Sequence, residues 1–306
     1  MNEDTEITSI QESSDEVKHY LADPRYRIEL DDLVIRGLKQ WLATVAESAF
    51  STQTSDVTED TFAARLSDYE SITQALQTTA ALLAYWGRPD HLPTMRKIVT
   101  HIYETARPTD GRGIWRVLCW YPAILITYTA GIAAVAAENY GNLACMLLSH
   151  VSPTPIAPEQ DRAILQLGQG LAEIDGNCIF HRIPHHSRSY TARSEYLYHT
   201  VQPLLADLLF LGSEYESLFD RFEMLLALTY ADQLTQTGDR VWGPFGRFAW
   251  KYRNRSLNPY TQLLAEAERQ KADWPPIQAG LFSGSYDRFE EIASAYRQVL
   301  DNLPWH

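Results

Sequence analysis

VLCWYPAILITYTAGIAAVAA, residues 117–137, carries no charged side chain and is closed off by Arg116 and Glu138. As a helix it would reach roughly 30 Å, enough to cross a bilayer. Pro122 near its start, and Tyr121, Thr127, Tyr128 and Thr129 along it, dilute its hydrophobicity, and it is the only such stretch in the chain. A helix apolar on every side is also what the middle of a large helical protein requires. The expectation is a buried central helix, with a single-pass membrane protein through 117–137 as the alternative.

Helical periodicity spreads outward from this segment. Leu30, Leu33, Val34, Leu38, Trp41, Leu42, Val45 and Phe50 recur at spacings of three and four, as do Phe62, Leu66, Tyr69, Ile72, Leu76, Leu83 and Trp86. Gly87 and Pro89 mark the end of that second run, with Gly87 read as its left-handed terminus. Met95, Ile98, Val99, Ile102 and Tyr103 give a third run, ended by the turn RPTDGRG. A weaker helix over 159–174 is interrupted by Gly168 and Gly170, and residues 176–194, which show no helical period, read as a long loop that could include a short strand at Cys178–Ile183. Ser213 to Glu216 reads as a capping box, and Asn258-Pro259 as an N-cap followed by proline. The fold class is all-α, with about twelve helices in an α-bundle or irregular solenoid-like array and no substantial sheet. Residues 1–13 read as a disordered acidic tail, 14–150 as an N-terminal helical part and 151–306 as a C-terminal helical part. A proline-rich connection at 152–159, SPTPIAPE, joins the two parts into one continuous domain.

The chain has 306 residues, 26 Lys+Arg against 39 Asp+Glu and a formal charge of −13. That balance disfavours a nucleic-acid-coating protein. Cys119, Cys145 and Cys178 lack the spacing of a zinc ribbon or a disulfide scaffold. Six acids precede the first base, Lys18, unlike a secretory or mitochondrial leader, so a cytoplasmic site is expected.

The chain lacks a Walker phosphate loop, an HExxH and a CxxC. Gly280-Leu281-Phe282-Ser283-Gly284 misses the spacing of a nucleophile elbow, and Gly111-Arg112-Gly113 and Gly168-Gln169-Gly170 lack the third glycine of a dinucleotide fingerprint. No catalytic residue, metal ligand or cofactor is assigned. His181, His185, His186 and His199 cluster, but Pro184 breaks their helical spacing and no carboxylate lies between Asp175 and Glu195. They are expected to pack against Tyr190, Tyr196 and Tyr198.

Charge is distributed unevenly. Residues 176–194 hold Arg182, Arg188 and Arg193 without an acid, and residues 240–265 hold Arg240, Arg247, Lys251, Arg253 and Arg255 without an acid. In GPFGRFAWKYRNR, helical spacing would put Phe245, Phe248 and Tyr252 on one face and Arg247, Lys251 and Arg255 on another. Cations interleaved with aromatics suit phosphates and nucleotides. Arg182, Arg188, Arg193, Arg247, Lys251 and Arg255 are therefore the candidate anion-binding residues. The alternative is that they pair with acids elsewhere in this acidic chain. Asp220 and Glu223, with Arg221 between them, read as an ordinary charged helix face. Trp274-Pro275-Pro276 and Leu303-Pro304-Trp305 could be exposed anchors for a partner, but for each one singly local packing of the loop onto the core is the stronger expectation.

Two resemblances add to this. LITYTAGIAAVAAENYGNLACMLL (125–148), with Gly131 nine residues before Tyr140, resembles a tetratricopeptide-type hairpin, although no second copy follows at the 34-residue repeat length. EVKHYLADPRYRIELDDLV (16–34), WYPAILITYTAGIAAVAAENYGNLACMLL (120–148), SLFDRFEMLLALTYADQ (217–233), PFGRFAWKYRN (244–254) and ADWPPIQAGLFSGSYDRFEEI (272–292) resemble a helical module of bacterial multidomain proteins. There the module follows an effector or signalling domain (sirtuin-like, TIR or NTPase), in settings associated with antiphage defence. The resemblance offers no catalytic residues to transfer. It implies a non-enzymatic interaction or sensor subunit working beside a separately encoded effector, with that effector or a second copy of itself as the protein partner. A nucleotide or other anion is the small-ligand expectation, while nucleic acid and membrane are disfavoured. The alternative class is an enzyme with a nonlinear site, such as a nucleotide-processing hydrolase using residues 176–199.

Overall fold

The computed structural model describes residues 14–46, 50–53, 57–106, 113–152, 161–253 and 258–303. The acidic tail, most of the proline-rich connection, the turn at 107–112, Arg255 and Pro304-Trp305 lie outside the described residues.

Helix α6 (Tyr121–Ala136) occupies the centre, and every side chain from Tyr121 to Val135 is buried. It is the continuation of a short α5 (Gly113–Leu118) across a two-residue turn. Together they form the one segment among the described residues that is long and apolar enough to cross a membrane, and 94% of its apolar window is covered by the rest of the protein. The apolar run is thus the helix around which the others assemble.

Helix α3 (Glu59–Trp86) lies along α6 over most of its length, and α7 (Tyr140–Leu148) folds back beside it. Helices α9 (Ala192–Leu209) and α10 (Tyr215–Gln236) cover further sides. Around this inner set sit α1 (residues 14–22), α2 (Arg27–Val45), α4 (Leu92–Thr105) and α8 (Ala163–Gly176). The remaining helices are α11 (Arg247–Lys251), α12 (Pro259–Gln270), α13 (Pro275–Gln278) and α14 (Tyr286–Asp301). The only strands among the described residues are His150–Val151 and Asp161–Arg162, paired antiparallel at the two ends of the proline-rich connection. The class is all-α, as the periodicity indicates.

Helix ends follow local chemistry. Thr58 and Thr61 cap the start of α3 reciprocally, and the Asn258 side chain accepts from Thr261 N at 3.1 Å to open α12. Gly87 closes α3 in an extended conformation, not the expected left-handed one. The Leu83 carbonyl accepts the Gly87 N–H, and Nδ2 of the buried Asn142 reaches the carbonyls of Leu83, Ala84 and Gly87. The expected capping box at Ser213 does not form: a 3-10 turn, Gly212–Glu214, leads into α10 without a side-chain cap. Helix α8 runs unbroken through Gly168 and Gly170, which give room to the rings of Tyr230 and Trp120. Residues Phe180–Arg182 form a 3-10 turn, not the short strand, within the expected loop. Trp274 is fully buried, with its indole N–H on Glu266, so of the two readings of this segment packing onto the core holds and the exposed anchor does not.

Gly131 sets the distance between α6 and α10. A Cβ there would lie 2.0 Å from a ring carbon of Phe222. The small residue of the hairpin-like motif therefore serves the α6–α10 contact. Gly131→Ala should lower unfolding stability by about 1–3 kcal/mol through overpacking. Gly37→Ala, in the exposed middle of α2 with nothing within 4 Å of a new Cβ, should raise it by about 0.5–1 kcal/mol. Urea titrations of the two variants check both signs.

Candidate functional site

Arg193 lies in the first turn of α9 and its side chain is 2% exposed. Its Nε sits 3.1 Å from Asp175 Oδ1, at the end of α8. Its Nη1 donates to the Tyr128 hydroxyl at 2.6 Å and its Nη2 to the Phe245 carbonyl at 2.7 Å. Glu223, on α10, completes the cluster. Its Oε1 accepts from Tyr128 at 3.0 Å, and its Oε2 accepts from Ser194 Oγ at 2.8 Å and Arg247 N at 3.0 Å. Gly246 makes the last of these contacts sterically possible, because a Cβ at that position would fall 1.9 Å from the Glu223 carboxylate.

A second layer lies outward. Arg247 bridges Glu195 at 3.2 Å and Glu216 at 3.3 Å, and its guanidinium stacks 3.7 Å above the Tyr198 ring. Lys251, one turn on, reaches Glu216 and Asp220, both at 2.6 Å. The outer layer opens into two grooves that share Trp250, whose indole N–H donates to Glu195 at 3.2 Å. One groove, of about 520 Å³, runs between α10, α11 and α12. The other, of about 750 Å³, is lined by the 3-10 turn Pro184–His186, residues 188–191, Glu195, His199 and Trp250.

Electrostatics differ between the layers. Burial is the largest influence on Glu223; it outweighs Arg193, Ser194 and Tyr128 and pushes the carboxyl up to about 7. Burial also works against the Arg193 charge, but Asp175, Tyr128 and Glu223 overcome it and hold the guanidinium charged above its usual range. The Lys251 hydrogen bond pulls Glu216 down. Asp220, deeper, is raised by burial against the same lysine.

The candidate anion-binding residues thus divide. Arg193, Arg247 and Lys251 come together, but each is buried and held by carboxylates. Arg182 and Arg188 are exposed, and Arg188 lines the larger groove. Arg255 lies outside the described residues. Helix α11 is a single turn, so the aromatic and cationic faces do not extend as a long helix. Asp220 and Glu223 are buried partners of those cations and not an exposed charged face; Arg221 turns away to a bidentate pair with Glu266. Sequence reasoning missed Asp175, Glu195 and Glu216. One signal was present: Glu216 and Asp220 are four apart, and so are Arg247 and Lys251, which lets two helical turns pair rung by rung. Two of the four histidines pack on the expected aromatics, His186 edge-on to Tyr196 and His199 edge-on to Tyr198, while His181 meets the Ser189 carbonyl at 3.0 Å. Among the described residues no group of three His, Cys, Asp or Glu is placed to hold a metal.

Comparison of the chain with protein-family models, with curated proteins and with solved structures finds no match.

Arg193→Met strands Glu223 in the interior, while the exposed Asp175 returns to water, and should cost about 3–5 kcal/mol in a urea titration. Glu223 should also shape stability against pH. Its folded value of about 7 lies above the ordinary 4.5, so the native state holds the extra proton between them. The stability it contributes is full below 4.5 and is lost as pH rises through about 7. Urea titrations across that range should show wild type losing stability relative to Glu223→Gln as pH rises, and a constant difference would refute the assignment.

Proposed function

We propose that this chain is a non-enzymatic helical binding subunit. The groove of His185, His186, Arg188, Glu195, His199 and Trp250 receives an anionic ligand or an anionic segment of a partner, and occupancy is relayed to an associated effector. The observation that carries this reading is the double role of Glu195. It lines the groove, holds the Trp250 indole, and pairs with Arg247, whose backbone N–H is bonded to the buried Glu223. A group arriving at the groove surface therefore meets residues wired to the core. Arg188 pairs with no carboxylate among the described residues and is left to meet an incoming anion. The resemblance to helical modules that accompany bacterial effectors supplies the partner class, an effector in a defence setting. A cytoplasmic site belongs to the same proposal and is supported by three cysteines that form no disulfide.

One observation favours a second reading. Three imidazoles and a carboxylate around one groove could serve acid–base chemistry on a nucleotide. Nucleotide turnover by the purified chain, abolished in His186→Ala, would favour the hydrolase.

The binding reading is tested by affinity capture of the tagged full chain from its host, with Arg188→Glu as the groove variant and Lys39→Glu, on the exposed face of α2, as the control. The expected result is a stoichiometric partner retained by the control and weakened about tenfold or more by Arg188→Glu. A chain that runs as a lone monomer and recovers the same background with all three proteins overturns the reading.

A further inference from the structure

The larger groove holds more latent positive charge than its neutral-pH formula suggests. His185 and His186 sit on the 3-10 turn Pro184–His186, Arg188 follows two residues later, and His199 faces the groove from α9. Two of the imidazoles are fixed in place: His186 lies 5.8 Å from the Tyr196 ring and His199 5.1 Å from the Tyr198 ring.

The charged groups around them are already committed. From α9, Glu195 is divided between Arg247 and Trp250. From α11, Arg247 is shared by Glu195 and Glu216. From α3, Glu70 accepts the hydroxyls of Tyr121 and Tyr196, the ring against which His186 packs. Burial holds His186 below its ordinary value, and His199 and His185 add to the effect against Glu195. Burial and the neighbouring imidazoles thus disfavour a proton on His186. A dianion placed among them reverses that balance, since a nearby negative charge favours the protonated ring.

The groove also has a fixed aromatic plate. The Trp250 indole is anchored through its N–H to Glu195 and remains 41% exposed. A volume of about 750 Å³ is that of a small-molecule site.

We propose that this groove is a proton-linked site for a phosphorylated ligand bearing a planar ring, of which a nucleoside monophosphate is the simplest member. The proposal rests on the groove being a ligand site. The phosphate meets Arg188 and the imidazoles; each imidazole that joins it takes a proton from water onto its free ring nitrogen; the planar ring lies on Trp250. By linkage, uptake of one proton strengthens binding about tenfold per pH unit across the histidine range. The gain ends near pH ~6, where the phosphate itself becomes a monoanion.

The test is titration calorimetry of the full chain with adenosine monophosphate, ribose 5-phosphate and adenosine. It is run at about pH 6.5 and about pH 8 in two phosphate-free buffers of different ionisation enthalpy. Adenosine monophosphate should bind, about tenfold tighter or more at the lower pH, with a buffer-dependent enthalpy that reports uptake of at least one proton. Ribose 5-phosphate should bind more weakly with the same proton uptake, and adenosine weakest. Trp250→Leu should weaken adenosine monophosphate about tenfold while leaving ribose 5-phosphate unchanged. His186→Gln with His199→Gln should flatten the pH dependence while Arg188 still supports weak binding. These are surface positions, and circular dichroism confirms the variants' fold. Binding without proton uptake, adenosine binding as tightly as its phosphate, or no binding of any probe overturns the proposal. In the last case a partner released by Arg188→Glu in the capture experiment would still uphold the groove as an interaction site.

Discussion

A helix without a polar face must be covered on every side, and α6 imposes that requirement on the whole chain. Its four polar side chains go into the interior with it, and each needs a partner there, because an unpaired buried polar group costs about 1–3 kcal/mol. Tyr103 meets Thr127 at 2.8 Å, Gln77 donates to Thr129 at 2.8 Å, and Glu70 accepts from Tyr121 at 2.6 Å. Tyr128 is the demanding case. Its hydroxyl lies between Arg193 and Glu223, so satisfying one phenol brings two charges into the core.

Those charges then determine what surrounds them. A buried ion pair contributes little net stability, but each member becomes costly once its partner is gone. Arg193 is therefore met by Asp175, Glu223 and a backbone carbonyl, while Glu223 is met by Ser194 and the Arg247 N–H. Satisfying Glu223 requires the backbone at 246–247 to pass close above it, which only glycine permits at 246. That passage places α11 over α10 with Arg247 and Lys251 opposite Glu195, Glu216 and Asp220. The position of the Trp250 plate thus follows from the polar demand of a tyrosine on α6.

Sequence periodicity carried the helices because burial of a stripe leaves a repeat of three to four, as in α2, α3 and α14. It also carried the Asn258 cap, a local motif with a local partner. It failed where the partner is remote. Asn142 ends α3 from more than fifty residues away, and no pattern near Gly87 reports it. Asp220 and Glu223 read as a solvated face because their cations lie on another helix. Nothing near Trp274 tells an interface aromatic from a core one, because its partner is Glu266 on the preceding helix. The acid-free windows marked where cations concentrate, but whether a cation is spent on a carboxylate or left for a ligand depends on distances through space. Arg193, Arg247 and Lys251 went the first way and Arg188 the second.

The division between spent and available cations gives the groove its connection to the interior. On α9, Arg193 and Ser194 face the core, Glu195 faces the groove, and Tyr198 carries the stacked Arg247, so one helix presents both environments within two turns. Glu195 uses one oxygen for Trp250 and the other for Arg247. Arg247 in turn meets Glu216 through its side chain and Ser194 and Glu223 through its backbone N–H. Glu223 is the group in this chain of contacts whose proton is held near neutrality, so its charge state is the one most easily altered by a small change in its neighbours. The groove's Glu195 and the Glu223 carboxyl beside α6 are thereby joined through one residue, Arg247, by an ion pair at its guanidinium and a hydrogen bond at its backbone N–H.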